Sequence, residues 1–326
     1  MGTTRFRSAF ALVAATLSIG VAACGGGGEG ESESGAPAGA SQELGGTIRI
    51  DGSSTVFPFA EAAGELFNEE QPNVQVTVGQ SGTGGGFEKF CAGETDISNA
   101  SRPIKADEEV PVCEKNGVRF EEVQVANDGI AVVTNKDTTV ECLTVEQLNA
   151  IWKPGSKVAS YSEAGEGLPS SPVKLFGPGT DSGTFDFFTD VINGEEGASR
   201  EDYEASEDDN QLVTGVSGTP GGLGYFGFSY YEANADKLNL VGVGEDAASC
   251  KKPDPASIQD GSYTPLSRPL FMYPSDKALQ RPEVKAFMEF VVTNQKAIAD
   301  AAQFVALTDA QASESKQKVD RLAGVQ

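Results

Sequence analysis

The sequence predicts an α/β protein built as two lobes, and three observations carry that expectation. Short β-branched runs alternate with helical patterns along the chain, as in α/β units. About 280 residues follow Gly46, enough to bury two separate cores. Segments rich in glycine, serine and threonine stand at strand-to-helix junctions, where sheets of this kind bind their ligands.

The chain opens on an export pattern. Arg5 and Arg7 give a positive start, and Phe10 to Ala22 is apolar or small. That run is too short and alanine-rich for a membrane span. It ends in Val21-Ala22-Ala23-Cys24, which resembles a bacterial lipobox, so residues 1–23 read as a signal peptide and Cys24 as the lipidated first mature residue. Residues 24–45 are Gly-, Ser-, Glu- and Ala-rich. They hold too little apolar surface to offset the entropy of ordering, and read as a flexible tether. No later stretch is long and apolar enough to cross a bilayer.

The elements follow in order. Thr47 to Ile50 reads as a strand and Phe59 to Glu69 as a helix with Phe59, Ala63, Leu66 and Phe67 on one face. Asn73 to Val78 alternates Val74, Val76 and Val78 as a second strand, and a helix carrying Phe87 and Phe90 follows. Ile130 to Thr134 and Val173 to Phe176 read as strands, and Phe185 to Val191 and Val284 to Val292 as helices. Ala310 to Leu322 reads as a polar surface helix. Glu195 to Asp209 is acidic and turn-rich, and reads as a solvated loop. The sheets are expected to be mostly parallel.

Composition narrows the function. With 48 acidic and 24 basic residues the formal charge is −24, which argues against nucleic acid as a partner. It does not exclude an anion site, because surface charge is screened over ~8–10 Å at physiological salt. The chain has no histidine, which removes Ser-His-Asp triads, Cys-His dyads and histidine-bound zinc. No CxxC spacing occurs, and neither a metal nor a cofactor is expected. With Cys24 lipidated, Cys91, Cys113, Cys142 and Cys250 remain, an even number in an exported chain. Three pairings are open. The favoured one joins Cys91 to Cys113 and Cys142 to Cys250, because each bond then closes a loop within one lobe.

Three loops suit an oxyanion. Asp51 to Pro58 holds Ser53, Ser54 and Thr55 before the first helix, where hydroxyls cap and N–H groups are unpaired. Gly79 to Gly86 follows the second strand; its glycines allow close backbone approach, and no Gly-Lys-Ser/Thr makes it a nucleotide loop. Gly177 to Thr184 ends in Ser182-Gly183-Thr184 at a helix start. Each alone could be a plain turn or cap. Between them lies Asp96 to Ile104, with Arg102 able to give a forked pair of hydrogen bonds to a tetrahedral oxyanion.

These segments, with Asp128 to Asn135, Leu148 to Trp152 and Gly222 to Tyr225, give the chain from about Gly46 to Gln326 a resemblance in order and spacing. It resembles the phosphate-binding lipoproteins and periplasmic proteins of the high-affinity phosphate ABC transporter. The resemblance implies a two-lobed type II periplasmic-binding-protein fold with two crossover segments, near Gly129 to Asn135 and Leu266 to Tyr273. Lobe I would be 46–130 plus 270–326, and lobe II 131–269. Carried over, the family's phosphate-binding loops map onto Ser54, Thr55, Val56, Ser81, Ser182, Gly183 and Thr184, and the chain's own residues add Arg102 and Asp181 to the expected phosphate site. The implied partners are inorganic phosphate, the transmembrane permease subunits of an ABC importer, and the membrane through the lipid, with the protein a non-catalytic monomer on the outer face of the cytoplasmic membrane. Two positions depart from the best-known branch: that branch has Ser-Asp where this chain has Ser101-Arg102, and an arginine upstream of Ser-Gly-Thr where this chain has Gly177 to Asp181.

Near neutral pH phosphate keeps a proton and sulfate does not. A carboxylate facing the ligand would accept that proton and repel sulfate. Asp181 is the candidate acceptor, with Asp128 and Asp96 behind it; Asp181 could instead pair with Arg102. The competing readings are another oxyanion, such as arsenate or sulfate, a hydrolase using Ser182 or Ser81, and an adhesion or sensing protein on the same fold.

Overall fold

In the computed structural model, residues 44–324 are described; the signal peptide, Cys24 and nearly all of the tether lie outside them. The strands are β1 Gly46–Gly52, β2 Val74–Gln80, β3 Ile97–Ala100, β4 Val123–Asn135, β5 Cys142–Thr144, β6 Lys174–Gly177, β7 Glu204–Ala205, β8 Gly222–Gly227, β9 Leu238–Gly244 and β10 Ser267–Pro274. The helices are α1 Phe57–Glu70, α2 Gly82–Cys91, α3 Val110–Lys115, α4 Val145–Trp152 and α5 Gly183–Asn193, then α6 Asp209–Gly218, α7 Phe228–Ala233, α8 Pro255–Gln259, α9 Pro282–Ala301 and α10 Asp309–Leu322. Among the described residues no helix is long and apolar enough to cross a membrane.

The strands form one ladder in the order β2-β1-β3-β10-β4-β8-β6-β7, with β9 on β4 and β5 on β9. The expected parallel pairs occur: β1 with β2 and β3, β6 with β7 and β8, and β5 with β9. The sheet is nevertheless mixed, because β10 runs antiparallel to β3 and β4, and β4 antiparallel to β8 and β9. Strands β4 and β10 carry the chain in opposite senses between two cores, so they cannot run with all their neighbours.

The first core gathers Ile48, Phe59, Phe67, Val123, Leu270, Phe287 and their neighbours; the second gathers Ile130, Val132, Trp152, Phe188, Tyr225 and theirs. Each fully buried large side chain contributes about 1.5–3 kcal/mol. The 13-residue β4 serves both, with Val123 to Ala126 in the first and Ile130 to Val133 in the second. The face predicted for α1 is the packed one: Phe59, Ala63 and Phe67 are buried and Leu66 is half-buried. Disulfides join Cys91 to Cys113, beside a small cluster of Phe87, Phe90 and Tyr273, and Cys142 to Cys250.

Two segments differ from expectation. The glycine-rich stretch is not a loop throughout, since Gly82 already begins α2. A Cβ on Gly86 would stand 2.5 Å from the Gly52 Cα, so glycine here lets the helix sit directly on the end of β1. The acidic stretch 195–209 is not simply solvated. Arg200 is 7% exposed and donates to the carbonyls of Ile151 and Val158, each at 3.0 Å, and to Asp202 at 2.6 Å. Its guanidinium ties the stretch to the second core, and β7 and the start of α6 lie within it.

Candidate anion-binding site

The loop after β1 does not cap its helix with a hydroxyl. The N-cap of α1 is Val56, without a side-chain hydrogen bond, which leaves the two preceding hydroxyls to reach across the molecule. Ser54 Oγ donates to Asp186 Oδ2 of α5 at 3.1 Å. Thr55 Oγ1 donates to the Gly183 carbonyl at 3.1 Å. The chain comes so close here that a Cβ on Gly183 would lie 2.4 Å from the Thr55 nitrogen. Glycine is required by space, not by φ.

Ser81 is the N-cap of α2, but its hydroxyl donates to Asp51 instead of capping. Lys89 also binds Asp51, at 2.7 Å. Burial pushes the Asp51 carboxyl up, yet the hydrogen bonds from Lys89 and Ser81 carry it below its ordinary value. In α5 the plain capping role does hold for Ser182, whose Oγ accepts from the Thr184 N–H at 3.2 Å.

Arg102 is held as a fork. Nη1 donates to Glu109 Oε2 at 2.9 Å and Nη2 to Oε1 at 2.7 Å, and the guanidinium lies 5.6 Å from the Phe87 ring centre. The bond to Glu109 raises Arg102 above its ordinary value. Its anchor is therefore Glu109, and the pairing with Asp181 does not occur. Asp181 is exposed, and its backbone N–H donates to Glu207 at 3.3 Å.

The sequence reading missed a second arginine. Arg268, on β10, donates from Nε to Asp128 at 3.2 Å and from Nη2 to Thr55 Oγ1 at 2.6 Å and Gly183 O at 3.0 Å. Its guanidinium stacks 3.9 Å from the Phe187 ring centre. Burial lowers Arg268 and raises Asp128, and their mutual attraction opposes both shifts. An arginine stays protonated in proteins, so Arg268 faces Asp128 as a cation. No acceptor among the described residues bonds Nη1. One signal was available: Ser267-Arg268-Pro269 repeats the tripeptide Ser101-Arg102-Pro103.

These groups meet at two adjoining cavities. One, of about 530 Å³, is bordered by Ser54, Thr55, Ser81, Arg102, Asp186 and Arg268, among others. The other, of about 810 Å³, is bordered by Asp181, Ser182, Gly183 and Thr184, and again by Ser54, Thr55 and Ser81. Of the nine residues expected at the site, eight border one cavity or both. Val56 borders neither and is buried in the first core. Asp186 and Glu196 border both cavities, and neither was anticipated. Burial raises both carboxyls above their ordinary values, and for Glu196 the charges of Asp186 and Asp190 add to the effect.

A sheet with donor loops gathered at its strand ends, cut by two crossover strands, defines a solute-binding class of protein, and comparison with known proteins agrees. Residues 36–295 match the PBP superfamily domain. The chain is 44% identical over 262 residues to Protein SphX of Synechococcus elongatus, covering 80% of this chain and 77% of that protein. It is 40% identical over 283 residues to the phosphate-binding protein PstS of Staphylococcus saprophyticus, covering 86% of each. A crystal structure of a possible phosphate binding protein from Planctomyces limnophilus superposes with a TM-score of 0.81 at 45% identity, covering 86% of this chain and 99% of that one. The chain belongs to the PBP superfamily and, within it, to the family of these SphX and PstS proteins.

Proposed function

We propose that the protein binds inorganic phosphate between two lobes and delivers it to the permease subunits of an ABC importer, without catalysis. The observation that carries this reading is the meeting of two guanidinium groups and the hydroxyls of Ser54, Thr55 and Ser81 at one cavity. Arg102 and Arg268 supply fixed charge-assisted donors for a tetrahedral oxyanion. The Ser182-Gly183-Thr184 turn supplies N–H groups at the start of α5. Relatives named for phosphate binding support the same ligand.

Lobe I is 46–130 plus 270–326 and lobe II is 131–269, a division supported by the two buried cores. The protein is exported, cleaved before Cys24 and held by lipid on the outer face of the cytoplasmic membrane, where a monomer collects phosphate. Thermal melting tests the binding. Phosphate at about 100 times its Kd adds about 2.7 kcal/mol to the stability of the native state and raises Tm. A Tm that does not respond to phosphate, in protein first stripped of ligand, would contradict the reading.

A further inference from the structure

Strands β4 and β10 carry the chain between the two cores, and a third segment crosses at the same level. Helix α9 ends at Ala301, and Gln303 turns the chain out of it in the left-handed conformation, φ 61°, where helices commonly end on glycine. At Val305 the chain then pairs with β4. The Asn127 N–H donates to the Val305 carbonyl at 2.8 Å, and the Val305 N–H returns to the Asn127 carbonyl at 3.0 Å. Asn127 lies on β4 between the stretch that serves the first core and the stretch that serves the second, and is paired with Pro269 of β10. Neighbouring side chains alternate faces, as along an extended chain: Phe304 and Ala306 pack on the first core and Val305 on the second.

Amide groups clasp this segment. Gln259 Nε2 donates to the Ala306 carbonyl at 2.9 Å, and Gln311 Nε2 donates to the Gln259 carbonyl at 3.0 Å. Gln259 follows Ile258, which is buried in the second core, and Gln311 lies on α10, whose Val319 is buried in the first. These bonds join the two cores outside the crossover strands. Cavities flank the segment. Ala302, Gln303 and Phe304 border the larger cavity of the anion site. Residues 303–307 border a separate one of about 560 Å³, with Ser229 and Glu232 of α7 and Gln259 of α8. That space leaves the segment room to shift that packed cores lack.

We infer that residues 302–307 are a strap across the hinge, and that Gln259 is a positioning residue whose bond to the Ala306 carbonyl belongs to the closed form and breaks when the lobes part. The inference rests on the two-lobed phosphate-binding reading above. The lobes are in contact here, Thr55 of the first donating to the Gly183 carbonyl of the second, and the clasp is made. A bond made in the closed form and lost in the open one shifts the population towards closure, and the apparent affinity follows the closed fraction. Gln259 borders neither cavity of the anion site, so it acts on phosphate only through that equilibrium.

The test compares the parent chain with Gln259→Leu, which removes the donor at similar size, and Gln259→Lys, whose ammonium can still donate to the Ala306 carbonyl. Calorimetry reads phosphate affinity, X-ray scattering reads the radius of gyration with and without phosphate, and melting curves establish folding. Gln259→Leu should bind phosphate about two- to tenfold more weakly, the contribution of one neutral hydrogen bond. Its phosphate-free form should be more expanded than the parent's, and its saturated form should match the parent's. Gln259→Lys should stay near the parent in both. A Gln259→Leu protein that melts lower but keeps the parent's affinity and radius makes the contact purely structural and overturns the inference, as does a Gln259→Lys protein as impaired as Gln259→Leu. A parent protein that binds no phosphate overturns the phosphate reading, and the ligand-free radii then decide the strap on their own.

Discussion

Ser101-Arg102-Pro103 and Ser267-Arg268-Pro269 are the same tripeptide in two settings. In the first, the arginine side chain is 35% exposed, lies on a loop after β3, and is forked onto Glu109 seven residues away. In the second it is 12% exposed, lies on the crossover strand β10, and bonds Asp128, Thr55 and Gly183, far apart in sequence. Local sequence sets neither role; the surroundings do. Arg102 is a local grip whose partner keeps it oriented towards the cavity. Arg268 ties the loop after β1, strand β4 and the start of α5 together, so stability and binding should both depend on it.

The largest effect separating the two should come from Arg268→Ala. Removing one member of a buried ion pair leaves Asp128 uncompensated and should cost about 3–5 kcal/mol of stability, read from urea unfolding. A loss as small as that of an exposed pair would erase the contrast. Arg102→Ala should do the reverse. Its partly exposed pair with Glu109 contributes about 0–1 kcal/mol to stability, while phosphate binding should weaken by roughly 2–4 kcal/mol, measured by calorimetry. Arg102→Lys should restore only part of that, because an ammonium cannot present a fork.

Asp209 sharpens the comparison from the other side, as a carboxylate in confinement without a guanidinium. It is half-buried, and burial first, then Asp208, Asp128 and Glu207, push its carboxyl up to about 7. A raised carboxylate binds more protons folded than unfolded between about pH 4 and 7, so stability falls as pH rises through that window. Asp209→Asn should therefore raise Tm by about 2–4 °C near pH ~8 and leave it unchanged below pH ~4. An equal effect at both would remove the titration argument.

How far these features were readable depends on their range. The valine alternation of β2 and the apolar face of α1 are local patterns, and the sequence displays them directly. The three donor loops were legible because strand-to-helix junctions have a composition. What each hydroxyl does was not. Ser54 meets Asp186 across 132 residues, and Thr55 meets Arg268 across 213; no window on the chain contains both ends. Val56 was expected at the site with its neighbours, but the cap geometry of α1 turns its side chain into the first core. Asp181 drew attention by adjacency to Ser182 and borders the larger cavity, whereas Asp186, in the first turn of α5, borders both.

The central claim is that two arginines and the hydroxyls of separate loops form one phosphate site. Isothermal titration of protein stripped of ligand tests it most directly, with phosphate as titrant and sulfate as competitor. The account predicts saturable binding of about one phosphate per chain, as one built cavity requires, lost or greatly weakened in Arg102→Ala and little disturbed by sulfate. No heat of binding, or binding by the parent that Arg102→Ala leaves untouched, would contradict it.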